Sequence, residues 1–182
     1  DPNQPTSLQV YREYQAEPWS HGDGPIRVIR GPQAEHFQAE SLELFLNSAY
    51  QVTPQIDRMG VRLHGPQLLH VTPEAADIVS DGVTPGTVQV PGDGQPIILL
   101  SDCQTVGGYP KIATVIAADM PRLAHLQLGQ SIRFCVVNAH QARQALLERE
   151  ARWAAWARDI TFALPNAGAL NNDPSSGWVC TD

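Results

Sequence analysis

The sequence is poor in positive charge and contains a single lysine, Lys111. Of its 182 residues, 12 are Lys or Arg and 19 are Asp or Glu, so the formal net charge is −7. General nucleic-acid binders need positive faces that release counterions from phosphates, and this charge balance argues against that class. We attribute the preference for arginine over lysine to genomic base composition.

Long apolar runs are also missing. No run approaches the roughly 20 residues that a membrane-spanning helix needs, and no charged-then-apolar signal peptide is present. We therefore expect no membrane partner. The chain does not begin with Met and opens on the polar stretch DPNQPTS, so we expect a processed or excised piece of a longer protein.

Cysteine and histidine patterns for metal binding or disulfides are absent. Cys103, Cys135 and Cys180 are widely spaced, odd in number and form no CxxC pair, so we expect a cytoplasmic location, where thiols stay reduced. Cys135, in the apolar run IRFCVV, is predicted to be a buried small hydrophobe. The six histidines show no HxH or HExxH spacing, so we interpret them as structural or surface residues and predict no metal site.

Short apolar runs separated by Gly and Pro predict β-strands. The predicted strands are Leu8–Tyr11, Pro25–Arg30, Tyr50–Thr53, Arg58–Leu63, Thr87–Val90, Ile97–Leu100, Ile112–Ile116 and Ser131–Val137. Pro54 and the pair Gly65-Pro66 are interpreted as turns. Many short strands with few helices favour a mainly β fold, a barrel or sandwich with peripheral helices. Helices do not alternate with strands, so a doubly wound α/β sheet is not expected.

Helical periodicity is confined to a few segments. It predicts an amphipathic helix over Ala34–Asn47, a short helical segment over Met120–Leu126, and a long C-terminal helix over 138–164 with Asn138 as its cap. The domain prediction is a loop-like leader at 1–24, a barrel at 25–137, this helix, and a flexible tail at 165–182. Trp153 and Trp156 make the long helix a candidate element for docking to a partner. Packing of its apolar stripe against the rest of the same chain is the commoner case.

The tract Asp81–Ile116 carries the candidate site. Turn-rich Gly and Pro clusters surround short apolar runs, and residues 102–111 contain Asp102, Gln104, Thr105, Tyr109 and Lys111. Asp102 offers a base or orienting carboxylate, Gln104 and Thr105 neutral hydrogen bonds, and Lys111 a point charge. Gly107-Gly108 allows the backbone to approach a ligand closely.

Structural alternatives stand beside each of these interpretations. The tract also fits a Gly-Gly hairpin with a surface ion pair between Asp102 and Lys111, and Arg58 fits a local ion pair in its turn. Gln89 lies between two valines and faces away from them, so it is a ligand group if that face is the barrel interior, where a buried amide needs partners, and carries no function if the face is exposed to solvent. Neither a GxGxxG nor a Walker-type motif is present, so this chain is not expected to bind ATP through those routes, and GxSxG is missing too.

The run DGVTPGTVQVPGDGQPIILLSDCQTVGGYPKIATVIAADMPRLAHL resembles the allophanate hydrolase subunit 2 family, also called KipA-like proteins or 5-oxoprolinase C subunits. The upstream SAYQVTPQIDRMGVRLHGP is similar to the same family. The resemblance implies a cyclophilin-like β-barrel and a cleft shared with a partner. Carried over by position, the cleft residues are Arg58, Gln89, Asp102, Gln104, Thr105, Gly107, Gly108, Tyr109 and Lys111.

The resemblance also implies a function within a heteromeric complex. Some members are similar to half of a biotin-dependent carboxyltransferase, as in urea carboxylase. Others act with a KipI-like subunit 1 and a LamB/YcsF-type subunit as a hydrolase that cleaves 5-oxoproline to glutamate with ATP. The motif GGYPKIA favours the 5-oxoprolinase type. In this interpretation Asp102 and Lys111 are catalytic, Gln89 and Gln104 hold the carbonyl of a small amide, and the chain itself binds no cofactor.

Two departures from the family pattern bear on activity. Members are usually much longer, so we expect this chain alone to be inactive, and Cys103 stands where Arg, Gly or Ala is more usual. The alternatives are a carboxyltransferase half that works with biotin, and a non-catalytic regulatory subunit that binds a KipI-like partner. No signature supports prolyl isomerase activity.

Overall fold

The computed structural model describes residues 24–163. The strands are β1 (Ile26–Arg30), β2 (Tyr50–Ile56), β3 (Gly60–His64), β4 (Asp81–Gly82), β5 (Thr87–Gln89), β6 (Ile97–Leu99), β7 (Val106–Gly107), β8 (Lys111–Val115), β9 (Ser131–Ile132) and β10 (Phe134–Val136). The α-helices are α1 (Ala39–Asn47), α2 (Met120–Leu123) and α3 (Ala139–Ala163), and 3₁₀ turns span Ala34–His36 and Pro73–Ala76. The strands belong to one compact unit that extends to Leu147, and α3 from Glu148 onward belongs to a second unit.

Eight strands form one sheet in the order β10-β1-β8-β5-β6-β3-β2-β9. The edge strands β9 and β10 are separated in the chain by Arg133 alone, so the sheet must curl until its two edges meet. This confirms the predicted mainly β barrel with peripheral helices and a C-terminal helix. The single strand predicted for Ser131–Val137 is wrong, because the chain changes partner at Arg133, pairing first with β2 and then in parallel with β1.

The barrel interior is filled by alternate residues of these strands. Buried aliphatic side chains from β1, β3, β5 and β6 form one cluster; they include Val28, Val61, Leu63, Val88 and Ile98. Helix α1 covers this core through Phe45, whose ring stacks on Phe134 with centroids 4.4 Å apart. Tyr50 lies beside both rings, and burial raises its pKa to about 12.

Two predicted boundaries need correction. Pro54 lies inside β2 rather than in a turn, at a register irregularity between Val52 and Ile56 where no ladder N–H is required. The helix predicted over Ala34–Asn47 is interrupted, because Phe37 is extended and bridges His70 before α1 begins. The predicted strand Leu8–Tyr11, the tail 165–182 and all of the leader except Gly24 lie outside the described residues.

Helix α3 begins with a reciprocal cap, as the sequence predicts. Asn138 Oδ1 accepts from Gln141 N at 2.9 Å, and Gln141 Oε1 accepts from Asn138 N at 2.9 Å. Farther along α3, Trp153 and Trp156 meet edge to face with centroids 5.5 Å apart. None of the described helices has both the length and the apolar character needed to cross a bilayer.

Replacing Asn138 with Ala is expected to lower the free energy of unfolding by about 1 kcal/mol, because the first turn of α3 loses its side-chain acceptor. Urea unfolding followed by far-UV circular dichroism measures the change. Asn47→Ala is the matched control, since Asn47 is exposed at the C-terminal end of α1 and its side chain makes no hydrogen bond to any described residue. Equal effects from the two substitutions would contradict the capping role of Asn138.

Candidate functional site

The candidate site lies on the outer face of the barrel sheet. Val88 and Ile98 pair across β5 and β6 and point into the core. Side chains alternate along a strand, so Gln89 and Ile97, which also pair, lie on the opposite face. Gln89 also pairs with Lys111 at the start of β8. The predicted orientation of Gln89 away from the valines is confirmed, and the face it occupies is not the barrel interior.

A small two-stranded sheet covers this part of the outer face. It consists of β4 and β7, paired as Asp81 with Gly107 and Gly82 with Val106. Beneath it Gln89 is 2% exposed and Lys111 is 5% exposed, although neither lies in the barrel core. At Gly107 an added Cβ would lie 2.6 Å from Gln89 Nε2. The close approach predicted for the Gly-Gly pair is thus used at Gly107 by a side chain of the protein itself.

Lys111 attaches β4 to the barrel. Its ammonium donates to the Asp81 carboxylate and, at 2.9 Å, to Gly82 O. The Lys111 side chain is buried, whereas that of Asp81 is 54% exposed. Asp102 pairs instead with Arg58, whose Nε lies 2.8 Å from Asp102 Oδ2. The ion pair between Asp102 and Lys111, offered by the sequence as the structural alternative, is therefore wrong.

The ion pair between Lys111 and Asp81, called the tether below, changes the pKa of the Asp81 carboxyl. The hydrogen bond from Lys111 holds the pKa of the Asp81 carboxyl below its usual range, and the backbone N–H of Gly82 acts in the same direction. Because the pKa is lowered in the folded state, the tether is fully present above the ordinary carboxyl pKa of about 4 and is lost as pH falls through the lowered value.

Substituting Lys111 by Met should therefore raise the pKa of Asp81 toward its ordinary value. Met preserves the buried stem of the side chain but removes its charge and its donors. An NMR titration of the Asp81 carboxyl carbon measures the shift. Arg133→Met is the control, since that guanidinium donates to Asn47 O, and it should leave Asp81 unchanged. An unaltered Asp81 midpoint in Lys111→Met would contradict the tether.

Beside the small sheet, the outer face opens into a cleft of about 530 Å³. Three predicted site residues line it: Gln89 from below, and Gln104 and Tyr109 from the connection between β6 and β8. Gln89 Nε2 donates to Tyr109 O at 3.2 Å, which fixes its amide. Among the described residues no donor reaches Gln89 Oε1, so this acceptor is available to a ligand. The remaining lining residues are Pro54, Gln55, Ile56, Asp57, Met59, Gly60, Arg62, Ile97 and Leu99.

The other predicted site residues do not line this cleft. Arg58 and Asp102 pair at the surface, where the Arg58 side chain is 87% exposed. Thr105, Gly107 and Gly108 belong to the segment that forms the small sheet; Thr105 O accepts from Val83 N, and Gly108 O from Ile78 N. Lys111 lies beneath that sheet, paired with Asp81. The catalytic roles assigned to Asp102 and Lys111 stay predictions.

Sequence reasoning missed several residues of the site. Asp81 was included only as the first residue of the tract, yet it holds Lys111. Gln33 Oε1 accepts from Lys111 N at 3.2 Å, and nothing in the sequence connects these positions. Arg62 lines the cleft although the alternation Val-Arg-Leu predicts only an exposed strand residue.

A second, smaller cleft of about 280 Å³ is lined by Arg122 and Arg133, whose guanidinium groups already donate to backbone carbonyls.

The sequence matches the carboxyltransferase domain, subdomains A and B, over residues 1–136. The chain belongs to this family. It is 42% identical over 125 residues to the 5-oxoprolinase C subunit of Escherichia coli strain K12, covering 69% of this chain and 40% of that protein. It is 29% identical over 131 residues to the urea amidolyase of Lachancea kluyveri, covering 65% of this chain and 7% of the relative.

The barrel also matches part of a much larger solved structure. The urea carboxylase of Kluyveromyces lactis superposes with a TM-score of 0.68 at 25% identity, covering 72% of this chain and 12% of that chain. This carboxyltransferase-family chain therefore spans about two fifths of the length of the bacterial 5-oxoprolinase subunit and a smaller share of the urea enzymes. The resemblance stated from the motifs is confirmed, as are its two branches of relatives.

Proposed function

We propose that this carboxyltransferase-family chain is part of the C subunit of a 5-oxoprolinase, an ATP-dependent complex that opens 5-oxoproline to glutamate. In this proposal the cleft on the outer sheet face holds the small cyclic amide. The other members of the complex are a KipI-like subunit 1 and a LamB/YcsF-type subunit. The 42% identity to a 5-oxoprolinase component favours this activity over a urea-carboxylating one, to which identity is lower.

The observation that carries the proposal is the cleft that collects Gln89, Gln104 and Tyr109. A secondary amide presents one N–H donor and one carbonyl acceptor. Gln89 Oε1 can accept the N–H, because Gln89 Nε2 is held by Tyr109 O. Gln104, which is exposed at the rim, can donate from its NH₂ group to the carbonyl. This assignment refines the sequence-based one, in which both glutamines hold the carbonyl.

The cleft on the outer sheet face, among the described residues, does not fit a nucleotide. Neither phosphate-binding loop motif occurs in the sequence, and the cleft offers Arg62 as its one cationic lining residue among those described. We therefore assign ATP binding and activation of the amide to the partner subunits. This chain positions the amide for that activation.

Lys111 has a positioning role in this arrangement. By holding Asp81 and Gly82 it keeps the small sheet over Gln89, where Gly107 packs closely against the Gln89 amide at the floor of the cleft. The sequence-based alternative, in which Lys111 balances charge on the activated group and Asp102 deprotonates the amide nitrogen, requires both residues to leave their present partners, Asp81 and Arg58.

A carboxyltransferase role is the second candidate. The superposition on the Kluyveromyces lactis urea carboxylase favours it, since the same barrel there belongs to an enzyme named for urea carboxylation. In that case the complex would require biotin and act on a neutral amide. The two candidates differ in cofactor dependence and in substrate charge.

Glutamate release distinguishes them. The full-length parent of this chain is mixed with its subunit 1 partner and the LamB/YcsF-type subunit, and 5-oxoproline and ATP are supplied. We expect release that stops when the parent is omitted and that does not require biotin. Biotin-dependent carboxylation of urea without glutamate release would support the second candidate. Co-elution of the subunits without turnover of either substrate would indicate a regulatory complex.

A further inference from the structure

The cleft contains an arginine that forms no ion pair with any described residue. Arg62 lines it, and among the described residues its guanidinium makes no hydrogen bond or ion pair. The acidic lining residue, Asp57, does not pair with Arg62 and is held in its own turn, since its Oδ1 accepts from Met59 N at 2.8 Å and from Gly60 N at 3.0 Å. Arg58, the neighbouring cation, is already paired with Asp102. The cleft therefore presents one guanidinium to a ligand.

The position of Arg62 relative to Gln89 is set by strand register. Arg62 of β3 pairs with Ile97 of β6, and Ile97 pairs on its other side with Gln89 of β5. The three side chains thus stand in a row across the outer face, with Ile97 between the two polar ones. Neighbouring strands lie about 4.8 Å apart, so the outer two residues are separated by roughly 10 Å at their Cα atoms. Side chains of this length can close that gap around a small molecule.

We propose that Arg62 binds the carboxylate of the substrate and makes the site selective for small amides that carry an acid group. This inference rests on the proposed function. A guanidinium binds a carboxylate through two parallel hydrogen bonds, a geometry that a neutral amide such as urea cannot match. Ile97 and Leu99 supply the apolar floor for the carbon skeleton between the charged end and the amide end.

The test compares two lactams, 5-oxoproline and 2-pyrrolidinone, which lacks the carboxylate. In the reconstituted complex, Arg62→Met should raise KM for 5-oxoproline about 10- to 100-fold, the loss expected for a charge-assisted hydrogen-bonded contact, with little change in kcat. Turnover of 2-pyrrolidinone should be the same with and without the substitution. Arg62→Lys should recover part of the affinity, because lysine restores the positive charge but cannot form the two parallel hydrogen bonds of a guanidinium. Arg30→Met removes an exposed arginine of β1 that does not line the cleft, and it should change neither substrate.

An unchanged KM for 5-oxoproline in Arg62→Met, or an equal loss for both lactams, would overturn the role of Arg62 while the 5-oxoprolinase activity stands. If the wild-type complex releases no glutamate, the proposed function fails and the inference is tested by binding instead. NMR titration of the full-length parent of this chain with each lactam then decides it. Binding of 5-oxoproline alone that disappears in Arg62→Met supports a carboxylate site; binding of neither lactam, or binding independent of Arg62, overturns it.

Discussion

Replacing Gln89 with Met is expected to lower kcat of the reconstituted complex roughly 10²- to 10³-fold, the typical effect of removing a positioned hydrogen-bonding group from a reaction site. Gln89 is buried under the small sheet, and its amide is fixed by Tyr109 O. Met has a similar length and volume, so the packing against Gly107 is retained while the acceptor for the substrate N–H is lost. Initial rates of glutamate release measure the effect.

Gln95→Met is the matched control for this substitution. The Gln95 side chain also binds backbone groups, accepting from Gly65 N at 2.9 Å and donating to Gly65 O at 3.3 Å, but it does not line the cleft. It should lower stability by about 1 kcal/mol and leave the rate per folded molecule unchanged. A wild-type rate in Gln89→Met, or a comparable loss of rate in Gln95→Met, would contradict a substrate-binding role for Gln89.

The largest expected effect on stability comes from Gly31→Ala. An added Cβ at Gly31 would overlap Lys111 O and would lie 2.8 Å from the carbonyl carbon of Ile112, both backbone atoms of β8. Gly31 N also donates to Ile112 O at 2.8 Å, so the two segments cannot separate without loss of that bond. We expect the free energy of unfolding to fall by about 3 kcal/mol or more.

Urea unfolding, followed by intrinsic fluorescence and circular dichroism, measures this loss. Gly24→Ala is the control, because nothing lies within 4 Å of the added Cβ there, and its effect should stay within about 0.5 kcal/mol. If Gly31→Ala is as stable as wild type, the close contact between the segment after β1 and the start of β8 is wrong. The position of Lys111 beneath the small sheet would then be in question too.

The strands of the barrel were predictable where hydrophobic alternation extends over several residues, as in β1, β3 and β8. The small sheet was not, because β4 and β7 are two residues long and show no periodicity. Its attachment to the barrel uses the contact of Lys111 with Asp81, residues 30 positions apart. The turn predicted at Pro54 is wrong for a different reason. A proline tolerated at a strand irregularity has the same local sequence signature as a proline in a turn.

The same distinction applies to the site. Alternation predicts that Gln89 faces away from Val88 and Val90, but only the small sheet explains why that outward face is buried. Because Lys111 and Asp102 have opposite charges and lie close in the sequence, the sequence suggests an ion pair between them. In the fold, Lys111 pairs with Asp81 instead, and Asp102 pairs with Arg58. Arg62 has no distinguishing sequence feature, because its importance comes from the order β5-β6-β3 across the sheet.

The most direct test of the central claim, that the outer-face cleft holds the small amide, is to map 5-oxoproline binding by NMR on the isotope-labelled full-length parent of this chain. We predict shifts that saturate together at the backbone amides of Gln89, Ile97 and Tyr109, the floor and rim of the 530 Å³ cleft. Saturable shifts confined to Ile26, Ile132 and Arg133, around the smaller cleft, would contradict the claim. So would the absence of any saturable shift.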